Sequence, residues 1–437
     1  MAKEPELVAR NRRLADAGDP VAQFNLGNMY RMGYQVKADH GLAVKWLSLA
    51  AGQGNAEALE LLRDMGVDLP AATEGTPADL PPPEPIVDPL CFDEPPDDPG
   101  ALQAAARQGA ADAQVALGEA YRNGIGVAAD PVAALHWYRL AADQGSAQGQ
   151  CAVGMMYERG LGVGQDAAEA KDWYVKAARQ GDPQAQFNLG NMIRQGRGGA
   201  PNPEVAAKWF RKAAEQGDAA ALFALGTLCE TGSGVPHDAA QAAEYYRAAA
   251  ERGDADAQFN LANMLREGRG MAADTVEAAA LYRRAAEQGL AAAQFNYALM
   301  LATGQGVPRN DVAAAAWLRR AAEQGSPDAR CALAAFYERG RGVGRDPVAA
   351  VDWYRRAAAA GDARAQYALG RRYAAGEGVA ADSVEAHVWL SLAVRSSIAS
   401  VAEAARTALA AVAAGMDGAA LTEAERRLRA QAQEGGR

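Results

Sequence analysis

The chain is predicted to be all-α, an α/α superhelical solenoid of about ten 36-residue helix-turn-helix repeats. Three observations carry this. All seven tryptophans (Trp46, Trp137, Trp173, Trp209, Trp317, Trp353 and Trp389) fall on one position of a repeat. Gly109, Gly145, Gly181, Gly217, Gly253, Gly289, Gly325 and Gly361 recur every 36 residues without slippage. Alanine, the best helix former, dominates the segments between them, and the alternation of a strand appears nowhere.

Taken in order, residues 1–17 read as an N-terminal capping helix. Residues 18–68 hold the first repeat and the first helix of a second. Residues 69–99 form an acidic, proline-rich insert, 100–396 the main array, and 397–437 two C-terminal capping helices. Each repeat has a first helix, helix A, typified by Asp182 to Ile193, and a second, helix B, typified by Pro131 to Ala142. Helix A is expected to stop at a glycine such as Gly124, suited to a left-handed cap. Helix B starts at Asp39, Asp130, Asp166, Asn202, Asp238, Asp274, Asn310, Asp346 or Asp382, always a short side chain that accepts bonds from first-turn amides. Asp182, Asp218, Asp254, Ser326 and Asp362 are placed to cap the next helix A. In helix A, Leu117 and Tyr121 typify the buried ridge, and Gly118 admits helix B closely. In helix B, the tryptophan and the next aromatic are expected to fill space between units. Thr422 and Glu425 read as a capping box for the last helix. That charged helix either covers the final apolar face of the stack or serves as a partner-binding segment.

The pattern Ala-x-x-x-Leu-Gly-x-x-Tyr-x-x-Gly-x-Gly-Val-x-x-Asp-x-x-x-Ala-x-x-Trp-Tyr-x-x-Ala-Ala-x-x-Gly, followed almost position by position from Ala113 to Gly145, resembles the Sel1-like repeat, a relative of the tetratricopeptide repeat. The resemblance covers roughly residues 18–68 and 97–396. It implies a solenoid that works as an adaptor or scaffold, often in bacterial signalling, envelope or secretion systems. Some cysteine-rich members carry a disulfide in each repeat and are linked to penicillin binding or β-lactam hydrolysis. A protein binding or hydrolysing β-lactams or peptidoglycan fragments is therefore the alternative reading. The present chain departs from that pattern, since Cys91, Cys151, Cys229 and Cys331 have no paired spacing within a unit. Cys151 and Cys331 take the place of Phe24, Phe187 and Phe295 and are expected to be buried thiols.

The formal net charge is −10. The insert holds eight acids, no base and ten of the twenty prolines, which leaves the rest of the chain near −2. A segment of that composition is expected to be disordered, and the balance disfavours nucleic acid, whose phosphates need a basic stripe. The insert either interrupts the loop of the second repeat or joins a short array to a long one. Unpaired cysteines, an N-terminus without an apolar leader and the lack of a membrane-length apolar run together point to a cytoplasmic protein with no membrane insertion.

The expected partner is a protein or an extended peptide, bound in a concave groove lined by helix A. Positions three and four apart on helix A lie together, opposite the buried ridge. They carry Asn25 and Asn28, Asn188 and Asn191, Asn260 and Asn263, and Asn296. Asparagine offers both a donor and an acceptor. Such a ladder would bond a peptide main chain, or the asparagines are neutral solvated residues copied with the repeat. Ile86, Val87, Leu90 and Phe92 form an apolar island in the insert, either a docking motif or part of a solvated tether. No cofactor, metal or catalytic residue is expected. The Gly-x-Gly loops close helices rather than follow strands, and the four histidines are dispersed among units without an i, i+4 partner.

Overall fold

The computed structural model of the chain describes residues 20–32, 39–52 and 99–434, together with the single positions 12, 15, 58, 62, 65 and 67. The chain divides into two compact units, residues 1–92 and 93–437. Among the described residues there are 21 helices and no strand.

In the first unit, α1 (Pro20–Met32) pairs with α2 (His40–Gly52). Leu26, Ala43 and Leu47 are fully buried between them, and Trp46 is 7% exposed. A Cβ on Gly27 would stand 2.8 Å from Leu47 Cγ, so the glycine permits that pairing. Gln23 donates to the Ala15 carbonyl oxygen at 3.1 Å, and Arg12 to the Tyr30 hydroxyl. Ala58 and Leu62 are buried against Leu47 and Ala50. The rest of the expected capping helix and of residues 53–68 lies outside the described residues, as does all of the insert but its last residue, Pro99.

The second unit is an α/α solenoid. It opens with α3 (Pro99–Arg107) and continues through α4 (Ala111–Asn123), α5 (Pro131–Asp143), α6 (Ala147–Arg159), α7 (Ala167–Arg179), α8 (Pro183–Gln195), α9 (Pro203–Glu215), α10 (Ala219–Thr231) and α11 (Ala239–Glu251). There follow α12 (Ala255–Glu267), α13 (Thr275–Glu287), α14 (Ala291–Thr303), α15 (Asp311–Glu323), α16 (Pro327–Arg339), α17 (Pro347–Ala359), α18 (Ala363–Ala375) and α19 (Ser383–Ala393). Even-numbered helices from α4 to α18 are helices A and their odd-numbered successors helices B. Each packs on its sequence neighbours, within and between repeats.

The helix ends form as the residues dictate. Asp130 accepts from the Val132 and Ala133 amides at 2.9 and 3.0 Å, and the other Asp and Asn residues preceding helix B do likewise. Asp182, Asp218, Asp254, Ser326 and Asp362 cap helix A, joined by Ser146. Gly124 ends α4 in the left-handed region at φ 71°. The second loop glycine answers a different need. Gly198 has φ 73°, and a Cβ there would stand 2.6 Å from the carbonyl oxygen of Ala167, the first residue of the preceding helix B. Successive repeats therefore meet backbone to backbone at this point.

The two aromatics of helix B have separate places. Tyr138, Tyr174, Phe210, Tyr246 and Tyr282 are fully buried between helices A and B. The tryptophans of this unit are only half-buried. At Trp173, Trp209, Trp317 and Trp353 a cation three residues on covers the ring, with Lys176 Nζ 3.7 Å from the Trp173 centroid and Arg320 4.5 Å from that of Trp317. The tyrosine position is thus the core, and the tryptophan packs on its edge.

A buried glutamine ladder joins the repeats. Gln258 is 3% exposed; it donates to the Ala250 carbonyl oxygen at 3.2 Å and accepts from Gln288 at 2.9 Å. Gln114, Gln150, Gln186 and Gln294 repeat the arrangement. Each closes the carbonyl end of the previous helix B, whose last carbonyls have no partner within the helix.

At the far end, α20 (Ala399–Ala414) packs on α18 and α19, and α21 (Gly418–Glu434) packs on α19. Arg427 pairs with Glu385 at 2.6 Å, and Glu385 also accepts from Trp389 Nε1 at 3.0 Å. The expected capping box at Thr422 is not formed. The helix begins four residues earlier, where Asp417 accepts from the Ala420 amide at 2.8 Å; Thr422 lies inside it and donates to the Gly418 carbonyl oxygen. Asp417 is the stronger N-cap and sets the start.

Candidate functional site

Two positions recur along eight helices A. The first reads Ala116, Ala152, Asn188, Ala224, Asn260, Asn296, Ala332 and Ala368. The second reads Glu119, Met155, Asn191, Thr227, Asn263, Leu299, Ala335 and Arg371. Nearly all are half-buried, recessed rather than projecting. The side chains of Asn25 and Asn28, on α1, lie outside the described residues, and so do Ile86, Val87, Leu90 and Phe92.

The asparagines differ in what they touch. Asn188 Oδ1 accepts from Gln184 at 3.2 Å and Asn191 Oδ1 from Arg194 at 3.4 Å, both within α8. Asn263 Oδ1 accepts from the Tyr282 hydroxyl at 2.6 Å, and Asn296, one repeat on, stands near the same hydroxyl. Asn260 stands near the Tyr246 hydroxyl, which donates to Glu230 at 2.8 Å. Asn263 therefore holds the polar end of a core tyrosine, and Asn260 and Asn296 stand near two of them. Asn188 and Asn191 contact only short-range neighbours on their own helix in the bonds they make here.

Sequence reasoning missed a second set of residues. The Tyr174 hydroxyl donates to Glu158 at 2.7 Å, and Arg197 of the next repeat reaches the same carboxylate at 2.6 Å. Tyr246, Glu230 and Arg269 repeat the cluster at 2.8 and 2.6 Å, and Tyr354, Glu338 and Arg372 form a third. Each ties a buried ring to the following repeat. The visible signal is a glutamate followed 39 residues later by arginine at 158 and 230. Burial and the neighbouring carboxylate hold the Tyr174 phenol well above the usual tyrosine range.

Cys151, Cys229 and Cys331 are not joined in disulfides. Cys151 and Cys229 are buried and Cys331 is half-buried. Burial, with Asp362 and Asp328 nearby, pushes the Cys331 thiol up to about 12. At pH 8 the nucleophilic thiolate is scarce. Iodoacetamide should therefore label Cys331 about a hundredfold or more slowly than free cysteine. Labelling at the free rate, read by peptide mass spectrometry, would contradict that environment.

The comparisons with known proteins agree with this architecture. A family model described as the Sel1 repeat matches nine segments, residues 20–55, 111–146, 147–182, 183–218, 219–254, 255–290, 291–326, 327–362 and 363–397. Among solved structures the chain is similar to a Sel1 repeat protein from Oxalobacter formigenes, with 32% identity over 70% of this chain and 89% of that one and a TM-score of 0.51. It is also similar to a protective antigen of uropathogenic Escherichia coli displaying an SLR fold, with 28% identity over 98% and 94% of the two chains and a TM-score of 0.49. An immunity protein of Pseudomonas aeruginosa shares 22% identity over 54% and 84%, with a TM-score of 0.32. No curated protein matches. Among the described residues, no helix is long and apolar enough to cross a membrane.

Proposed function

The chain belongs to the Sel1 repeat family, whose members are generally protein-interaction scaffolds, and from that premise we propose that it is a non-catalytic adaptor holding a protein or an extended peptide along the concave groove lined by helices A. The process is a bacterial one in signalling, the envelope or secretion, with the adaptor acting from the cytoplasm. The observation that carries the reading is the continuity of that lining. Eight successive repeats present a half-buried alanine or asparagine at the first of the two positions, so a partner backbone can approach closely there. Amide groups at Asn188 and Asn191 can bond a main chain with little regard to its sequence. A net charge of −10 favours a polypeptide over nucleic acid as the partner.

Site-directed photo-cross-linking in the native cell tests this. A benzophenone amino acid in place of Asn188 is expected to capture a discrete protein partner. The same group in place of Val312, 56% exposed on helix B, is expected to capture none. Equal capture from both positions, or capture from Val312 alone, would overturn the assignment of the face.

A further inference from the structure

Charge is unevenly placed along helices A. On each of them the two recurring positions share one side of the helix with the residue four before the first and the residue four after the second. From α4 to α14 that side carries one base, Arg159, against Asp112, Glu119, Asp256 and Glu267. On α16 and α18 it carries Arg339, Arg364 and Arg371 against Asp328 alone. The surrounding segment has the same sign. Residues 327–375 hold nine arginines and five carboxylates, in a chain whose formal net charge is −10.

Several of these arginines are committed within the fold. Arg364 pairs with Asp362 at 2.7 Å and with Asp328, Arg355 pairs with Asp352 at 2.8 Å, and the buried Arg372 pairs with Glu338. Arg339 and Arg371 are not committed in this way. Both are exposed, and among the described residues neither has a carboxylate or carbonyl partner. Arg371 lies over the Tyr367 ring, 5.9 Å from its centroid, which orients the guanidinium and leaves its N–H groups unused. The rest of that side of the two helices is small, with Ala332, Ala335 and Ala368 half-buried. A chain passing over these alanines would meet two guanidinium groups that nothing in the described structure neutralises.

A guanidinium offers its donors in a planar fork that matches a carboxylate or a phosphate. The other helices A decide between the two. A nucleic acid carries a phosphate on every residue and would meet Asp112, Glu119, Asp256 and Glu267 as it followed the array. A polypeptide can confine its acids to the stretch that meets α16 and α18. We propose that Arg339 and Arg371 bind an acidic segment of a partner polypeptide, each through an Asp or Glu carboxylate of that segment. The inference rests on the reading that helices A hold a polypeptide, and it gives that polypeptide a direction, with its acidic stretch toward α18.

The test uses random peptides displayed on phage and selected on the full chain, with affinities read by fluorescence anisotropy. The selected peptides are expected to be enriched in Asp and Glu and to bind more weakly as salt is raised. Arg339→Ala/Arg371→Ala should cost about tenfold in affinity with the melting temperature unchanged, and Arg339→Glu/Arg371→Glu should select basic peptides instead. Peptides that lose affinity with Asn188→Ala/Asn191→Ala but ignore both changes at the arginines would overturn the acidic subsite and leave the wider reading standing. Peptides indifferent to every one of these changes would remove both. A single-stranded oligonucleotide held as tightly as the peptides, and lost with the same two arginines, would assign them to phosphate. Self-association of the full chain that disappears in Arg339→Ala/Arg371→Ala would assign them to a second copy. Either result would overturn the proposal.

Discussion

Replacing Gly198 by valine is expected to split the second unit into two independently melting parts. The residue would be forced to φ 73° with a Cβ 2.6 Å from the Ala167 carbonyl oxygen. The left-handed backbone costs an ordinary L-residue about 1–2 kcal/mol, and more when it is β-branched. Overpacking adds about 1–3 kcal/mol, because the opposing group is backbone at the start of α7 and cannot turn aside. The stability of a solenoid is close to a sum of repeat and interface terms, so damage at one interface uncouples what lies on either side. Calorimetry should show a broadened or double transition, and hydrogen exchange should speed up in α6 to α9 first. A single transition with an unchanged midpoint would mean that the backbone contact between repeats is dispensable.

The next largest effect is expected at Glu158. Its carboxylate accepts from the fully buried Tyr174 hydroxyl at 2.7 Å and pairs with Arg197 at 2.6 Å. Glu158→Ala leaves that hydroxyl buried without its acceptor, which costs about 1–3 kcal/mol. Loss of the half-exposed Arg197 partner adds at most about 1 kcal/mol after solvent screening. Adding Tyr174→Phe should restore much of the loss, because the stranded hydroxyl goes with it. Urea titrations of the two single variants and the double variant would show this as a large coupling energy. Strict additivity would mean that the carboxylate and the ring do not act together.

What could be read in the sequence is what neighbours in the chain decide. The N-caps at Asp130 and Asp182 and the left-handed Gly124 follow from side chains acting within one turn of themselves. The close approach at Gly118 was equally visible, since a Cβ there would stand 2.6 Å from the Tyr138 ring. Features made across a repeat boundary were not legible. Gln258 looks like a surface residue until the carbonyl end of α11 is placed above it. The division of labour between Trp173 and Tyr174 depends on how far one helix leans over the next, and spacing along the chain does not specify that. At Thr422, local reasoning chose the wrong cap because Asp417, five residues earlier, competes for the same helix start.

The candidate site shows the same division. The recurrence of asparagine at two positions of helix A is plain in the sequence, as is the side of the helix those positions share. That Asn263 accepts from the Tyr282 hydroxyl is a three-dimensional fact. It bears on how the face should be probed. Alanine at Asn263 would disturb a core tyrosine as well as the surface. Asn188 and Asn191 are the cleaner pair, since their bonds run to Gln184 and Arg194 on the same helix.

The most direct measurement is therefore a titration of the partner captured from position 188 against the full chain and against Asn188→Ala/Asn191→Ala. Affinity is expected to fall about tenfold or more, as two main-chain hydrogen bonds are lost, with the melting temperature unchanged. Unchanged affinity in a folded double variant would contradict the account, because the face of helices A would then not be where the partner is held.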